Sequence, residues 1–357
     1  MEYIELDPPS ATEVMVEVRA VGVCHTEQHA ILGELPVGMT PMVLGHEGAG
    51  VVTEVGSAIS DVAVGDHVAF LWQPACGACE FCVRGEHHRC QEGRRIFDGP
   101  QFDGTYRRRD AAGATVGSLC MVGAFAEQTV VDRASIVVVD RDLPFDVVAL
   151  ASCSVVGGHG AVANAAEVQP GDDVLVVGAG GQGSAAVQAA NAAGARRVIV
   201  ADHHGNKLDA ALGFGATILI PIESDDELAA HVLAITAGRG VDHAIVCTGS
   251  VDGLVQAYRA TRVGGAVVQS GITPPTASQH IPLMPIEILN GNGKNLVGSK
   301  YGGASPITGI PHVLNLYRRG VLNIEGLVTR TYTLDQVADA YDDLAAGKLV
   351  RGLVKID

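Results

Sequence analysis

The sequence predicts an α/β protein in which a β-rich region is joined to a doubly wound parallel sheet. Three observations point there. Residues 12–150 are short Val-dense runs broken by Gly, Pro and Asp, the pattern of strands bounded by turns. Beyond residue 155, apolar strand-like runs alternate with helix-like stretches, which implies a parallel sheet with crossover helices. After residue 300, two amphipathic stretches precede a last β run.

Taken in order, EVMVEVRAVGV (13–23), GHEGAGVVTEVG (45–56), GDHVAF (65–70), AFAEQTVVD (124–132) and SIVVVD (135–140) are the strands expected of the first region. DDVLVVGAG (172–180) is a buried strand, followed by a helix of small residues, QGSAAVQAANAAGA (182–195). RRVIVAD (196–202) and HHGNKLDAALGFGA (203–216) repeat that unit, and DHAIVCTGS (242–250), GGAVVQSG (264–271) and NLVGSK (295–300) add strands. The acidic IESDDEL (222–228) reads as a solvated helix start. IPHVLNLYRRGVL (310–322) and TLDQVADAYDDLAAGKL (333–349) are helices, and RGLVKID (351–357) is a strand able to return to the first region. The expected division is residues 1–154 with 301–357 as one domain and 155–300 as the other.

Composition narrows the function. Only 18% of residues are charged and the net charge is −16, so the overall field repels phosphate backbones and nucleic-acid binding is not expected. No uninterrupted apolar run reaches the length of a membrane span. The N-terminus MEYIELDPPS lacks the basic and apolar regions of a secretory signal, so a cytoplasmic location is expected. Any phosphate must be held by local donors.

Gly178, Gly180 and Gly183 supply such a place. They form G-x-G-x-x-G directly after VLVV and at the head of a helix, with Gly181 and Gln182 between them. The first glycine permits the tight turn, the second lets backbone approach a pyrophosphate, and the third lets helix and strand pack closely. The helix N-terminus offers free N–H groups to the phosphates. Asp202 ends the next strand, where a carboxylate binds ribose hydroxyls and repels a 2′-phosphate, favouring NAD over NADP. Lys207 is a second candidate ribose contact. This is the pattern of a Rossmann nucleotide-binding domain.

Cys76, Cys79, Cys82 and Cys90 read C-x2-C-x2-C-x7-C. In a reducing compartment, four thiolates on one loop suit a closed tetrahedral zinc site of structural type. An iron–sulfur cluster is the rival, without the proline that often follows such runs. Cys24, His46 and Cys153 lie far apart in sequence. Two thiolates and one imidazole leave a fourth position for water or alcohol, as catalytic zinc requires.

GVCHTEQH (22–29), GHEGAGVVTEVG, the four-cysteine loop, GAGGQG (178–183) and Asp202 occur together and in order. Over nearly its whole length the sequence resembles the zinc-dependent alcohol dehydrogenases of the medium-chain dehydrogenase/reductase superfamily. The stretch from Cys90 through DGTYRRR to AFAEQ resembles the long loop of the dimeric type. A finer resemblance is to actinobacterial members that hold NAD tightly and use an artificial nitroso acceptor.

The resemblance implies a GroES-like catalytic domain beside the Rossmann domain, two Zn²⁺ per chain, NAD(H), and a homodimer or homotetramer. It implies hydride transfer between NAD(H) and a small alcohol, aldehyde or ketone. The alternatives are a thiol-adduct formaldehyde dehydrogenase of mycothiol or glutathione type, or an enzyme with permanently bound NAD(H). By the same resemblance Cys24, His46 and Cys153 bind catalytic zinc, Glu47 approaches the metal transiently, and Glu27 orients His46. Thr26 and His29 relay the proton, His25 and Arg351 pair with the pyrophosphate, and Trp72 lines the substrate pocket. The sequence departs from the pattern in four places. Cys24 comes very early relative to the family, so an initial strand is expected to be missing. Gln182 stands where relatives have a small apolar residue. Gly157 replaces a threonine under the nicotinamide, so a packing contact is expected to be lost. Lys300 falls near a position that is often apolar. These changes point to a specialised or polar substrate, or to altered cofactor handling. His67, His87, His88, His203 and His204 are read as surface or turn residues, and Cys120 and Cys247 as buried thiols.

Overall fold

The strand Glu13–Val23 organises the first region. Its run of Val and Ala is buried on both faces, and it pairs antiparallel with Gly48–Val55, with Gln128–Asp132 and with Arg351–Lys355. The chain end therefore does return to the first region, with Leu353 opposite Gly22 and Val354 opposite Val21. Val328–Thr333 extends that edge in parallel, and His67–Phe70 and Ile136–Val139 complete a seven-stranded sheet. Glu5–Leu6, Arg108–Arg109, Thr115–Ser118 and Met42–Val43 form a small second sheet. The structure, a computed structural model, describes residues 2–275 and 280–356.

The second region is a six-stranded, wholly parallel sheet in the order Ile218–Pro221, Arg197–Asp202, Asp173–Val177, Val241–Val246, Thr261–Gln269, Asn295–Gly298. The central strands are buried on both sides, which is why they read as continuous Val and Ile rather than as alternation. The winding reverses between Asp173–Val177 and Val241–Val246. Such a reversal opens a crevice at the carboxyl ends of the strands, and the glycine motif sits there.

One major element was not foreseen. Phe145–Ala166 is a continuous helical stretch, so the expected 154/155 boundary falls within it. Its Val147, Val148, Leu150, Ala151 and Val155 are buried, each worth about 1.5–3 kcal/mol for the larger side chains. Its first turns, Phe145–Leu150, pack on Glu13–Val23 and Gly48–Val55, and its later turns from Ala151 pack on the helix Gly181–Ala192. A single apolar cluster therefore runs from one sheet to the other. Gly158 makes the helix–helix contact possible, because a Cβ there would lie 2.1 Å from the Gln182 carbonyl oxygen. By length and composition alone this stretch is apolar enough to cross a membrane, although Asp, Ser, His and Asn interrupt its apolar run. However, 78% of its apolar window is buried inside the protein, as befits a core helix.

Candidate active site and metal centres

The four-cysteine loop follows the strand His67–Phe70. Cys79 precedes the short helix Glu80–Val83, which carries Cys82, and Cys90 follows the turn His87–Arg89. The four Sγ atoms all lie within 4.8 Å of one another, and no disulfide joins them. Zinc tetrahedra place sulfurs about 3.8 Å apart, and the Cys76–Cys82 separation is 3.9 Å. Backbone amides point at the sulfurs: Cys76 N–H donates to Cys90 Sγ at 3.3 Å and Cys79 N–H to Cys76 Sγ at 3.3 Å. Amides of Gln91 and Cys82 hold the Cys79 thiol down to about 6, whereas burial pushes Cys82 up to about 12. Converging sulfurs with amide support suit a cation and leave no side open.

The second centre is assembled from three distant segments. Cys24 follows the strand Glu13–Val23 and caps the helix His25–Ile31. His46 lies in the turn before Gly48–Val55, and Cys153 sits in a widened π-helical turn of Phe145–Ala166. Ligand atoms of Cys24, His46, Glu47 and Cys153 fall within 4.8 Å of one another. His46 Nε2 is 3.3 Å from Cys153 Sγ. His46 Nδ1 is 2.5 Å from the Oε1 of fully buried Glu27. That carboxylate accepts from Nδ1–H and leaves Nε2 free to ligate. Burial alone would lower His46, but Glu27 and Cys153 outweigh it and hold it well above its ordinary value. Cys24 is lowered, chiefly by its hydrogen bond with Cys153, and Cys153 is raised by the same bond and by burial. Such a donor set fits zinc with one side open. Glu47 already has partners: it is ion-paired with Arg351 and accepts from Ser154 Oγ at 2.8 Å. Burial raises its carboxyl against the pull of Arg351.

At the glycine turn, Gly178 has φ +90°, and a Cβ on Gly183 would lie 1.8 Å from the Gly178 oxygen. A Cβ on Gly181 would lie 1.9 Å from Arg351 Cδ, so buried Arg351 is wedged beneath the turn. Asp202 accepts from Ala179 N–H at 2.7 Å and from His204 N–H at 2.8 Å. Lys207 is buried near the head of the helix Gly205–Gly213. The expected loss of packing at Gly157 is corrected by Gln182. Its Nε2 stands 2.7 Å from where a Gly157 Cβ would be, and donates to Ser270 Oγ at 2.7 Å. The long amide fills the space that the missing side chain leaves.

One cavity of about 1340 Å³ connects these parts. It runs from Asp202 and Lys207 past the glycine turn to Cys24, His46 and Cys153, and out beside Trp72. The structure brings the expected site residues to this cavity except Glu27 and Glu47, which are buried and do not line it, and Cys76, Cys79 and Cys82 of the separate loop. Burial lowers His25 to about 4, with Lys207 and Arg351 reinforcing it against Cys24. Thr26 Oγ1 lies 3.6 Å from Cys24 Sγ, and His29 Nδ1 is 2.7 Å from Glu34 Oε2. Thr26 and His29 face the same cavity and are not directly hydrogen-bonded to each other. Trp72 stacks on Tyr301 at 4.0 Å and meets His46 edge-on at 6.5 Å.

His88 is not the surface residue expected of it: it is buried and lines the cavity. His203 and His204 lie in the expected turn after Asp202, part-exposed at the cavity rim. Cys247 is half-buried and also on the wall, whereas Cys120 is buried as expected. Tyr301, Gln73 and Arg94 were missed as cavity residues. Their sequence neighbourhoods carry no motif, and only tertiary packing brings them here.

Comparison with known proteins agrees with this arrangement. The family described as "Alcohol dehydrogenase GroES-like domain" matches residues 10–141, and "Zinc-binding dehydrogenase" matches residues 181–317. Alcohol dehydrogenase B of Mycobacterium tuberculosis is 38% identical over 99% of this chain and 94% of its own length. The NDMA-dependent alcohol dehydrogenase of Amycolatopsis methanolica is 36% identical over 99% and 94%. The crystal structure of benzyl alcohol dehydrogenase from Acinetobacter calcoaceticus superposes with a TM-score of 0.90 at 30% identity, covering 99% of this chain and 94% of that one. The chain belongs to the zinc-binding alcohol dehydrogenases of the medium-chain dehydrogenase/reductase superfamily.

Proposed function

We propose that the chain interconverts an alcohol with an aldehyde or ketone, using NAD(H) rather than NADP(H) and two zinc ions, one catalytic and one structural. The observation that carries this reading is the convergence of an open Cys24–His46–Cys153 set and a glycine-turn nucleotide crevice on one cavity. Zinc held by Cys24, His46 and Cys153 would supply a Lewis acid for the substrate oxygen, and nicotinamide the hydride carrier.

The chain's own residues do the rest. Glu27 fixes the imidazole of His46 so that Nε2 faces the ligand cluster. The Thr26 hydroxyl beside Cys24 receives the substrate proton, and His29, steadied by Glu34, releases it to solvent. Because no direct bond joins the two, a bound hydroxyl or water must bridge them. Arg351 and neutral His25 flank the pyrophosphate position. Asp202 and Lys207 hold the ribose, and the Asp202 carboxylate opposes a 2′-phosphate. Glu47, paired with Arg351, reaches the metal only by giving up that partner. The reading includes the division at 1–154 with 301–357 and 155–300, a homodimer or homotetramer, and a cytoplasmic location.

A screen of primary, secondary and aromatic alcohols with NAD and NADP in parallel tests it. The expected result is a preference for NAD of about 100-fold in kcat/KM. Turnover with NADP alone overturns the role of Asp202. A second reading, with NAD(H) permanently held, draws support from the NDMA-dependent relative. Cofactor retained through purification, with turnover that needs an added nitroso acceptor, selects that reading.

A further inference from the structure

The outer end of the cavity, beside Trp72, carries positive charge with no acid to match. Lys300 holds its Nζ 5.3 Å from the Trp72 ring centre. Burial and the nearby Arg94 guanidinium both depress the Lys300 ammonium. Among the described residues neither Lys300 nor Arg94 has a carboxylate partner. The acids on the cavity wall are engaged elsewhere: Glu34 with His29, and Asp202 at the nucleotide end. In a chain of net charge −16, two cations on one cavity wall without a carboxylate partner are a local exception.

Unsatisfied hydrogen-bonding groups lie at the same place. His88 is 7% exposed and Ser299 9%, and both line the cavity. Both ring nitrogens of His88 and the Ser299 hydroxyl have no partner in the protein. Facing the cavity without a protein partner, these groups are available to bond a ligand there. Trp72 sets the distance, since its ring centre is 6.5 Å from the His46 ring and 5.3 Å from Lys300 Nζ. The charge-binding end is therefore about one aromatic ring away from the reacting end.

We propose that the substrate carries a carboxylate at the end opposite its alcohol or aldehyde carbon, bound by Lys300 and Arg94 with hydrogen bonds from His88 and Ser299. This rests on the hydride-transfer reading above and names its substrate class. The carboxylate can belong to a small hydroxy acid or to a larger thiol conjugate, and substrates of both kinds separate these sources.

The test compares para-hydroxymethylbenzoate with benzyl alcohol on the full chain, with S-hydroxymethylglutathione as the larger carboxylate. The acid is expected to exceed benzyl alcohol by about tenfold or more in kcat/KM, mostly through KM, as a charge-assisted contact would give. K300M should reduce that ratio by about tenfold, and K300R should keep most of it. Inhibition by benzoate against neutral benzamide reads the same contrast without turnover, and thermal unfolding checks that each variant folds. Turnover of S-hydroxymethylglutathione that is sensitive to K300M, exceeding that of the benzoate, supports the site and assigns the larger source. A ratio near one in the unaltered protein, or one that K300M does not change, overturns the carboxylate site alone. Absence of turnover with every alcohol overturns the hydride-transfer reading and the proposal with it.

Discussion

The two sulfur-rich centres are built in opposite ways. The Cys76–Cys90 loop carries all its sulfurs on one short segment, and its own backbone amides turn towards them. The open centre draws one ligand from a strand end, one from a turn and one from a core helix. The first depends on local chain geometry. The second exists only when the core helix is packed on the strands Glu13–Val23 and Gly48–Val55, so it is a readout of tertiary structure.

Cys153→Ser should separate the centres most sharply. Hydride transfer is expected to fall about 10³-fold or more, and metal analysis should show loss of the open-site zinc with the loop zinc retained. Near-normal turnover would dissolve the distinction. Cys82→Ser is the converse experiment. It should empty the loop and destabilise the protein by about 3 kcal/mol or more, because structural metal binding is folding energy. Denaturant unfolding measures this.

A smaller effect is expected at Glu27. Glu27→Gln removes the charge that orients His46 and should weaken zinc at the open centre by about 10–100-fold, leaving the loop unaffected. Competition with a chelator reads the two affinities separately. If both centres weaken together, they are coupled more closely than their separation in the fold implies.

The smallest effect concerns the helix that carries Cys153. His159 lies on it, 5.2 Å from the ring of His312, and burial together with that neighbour lowers it to about 4. An unfolded histidine titrates near 6.5, so between these values the unfolded chain binds more protons. Stability is fully present above about pH 6.5 and is lost as pH falls towards 4. His159→Gln should flatten that slope by about 1–2 kcal/mol across the window, as followed by thermal melts at stepped pH.

The sequence made the locally encoded features legible. Valine runs, the repeated strand–helix units and the four-cysteine spacing each depend on neighbours in the chain, and each stands where expected. The open centre was legible only through family resemblance, because no local spacing links Cys24, His46 and Cys153. Phe145–Ala166 was missed because it is apolar on all sides and rich in Ser, Gly and Ala, so it has no amphipathic period to betray it. His88 sits in the polar run GEHHRC, which reads as surface; the fold buries it against the cavity. The compensation between Gly157 and Gln182 joins two helices, and neither residue alone announces it. Pairwise shape is lost when positions are read one at a time.

The central helix has a mechanical consequence. Both sheets grip it, and Cys153 sits close to its midpoint. If one layer rocks against the other about this rod, its ends sweep the widest arcs and its middle stays nearly still. Under such a motion Cys153, near the midpoint, would be the part of the helix displaced least.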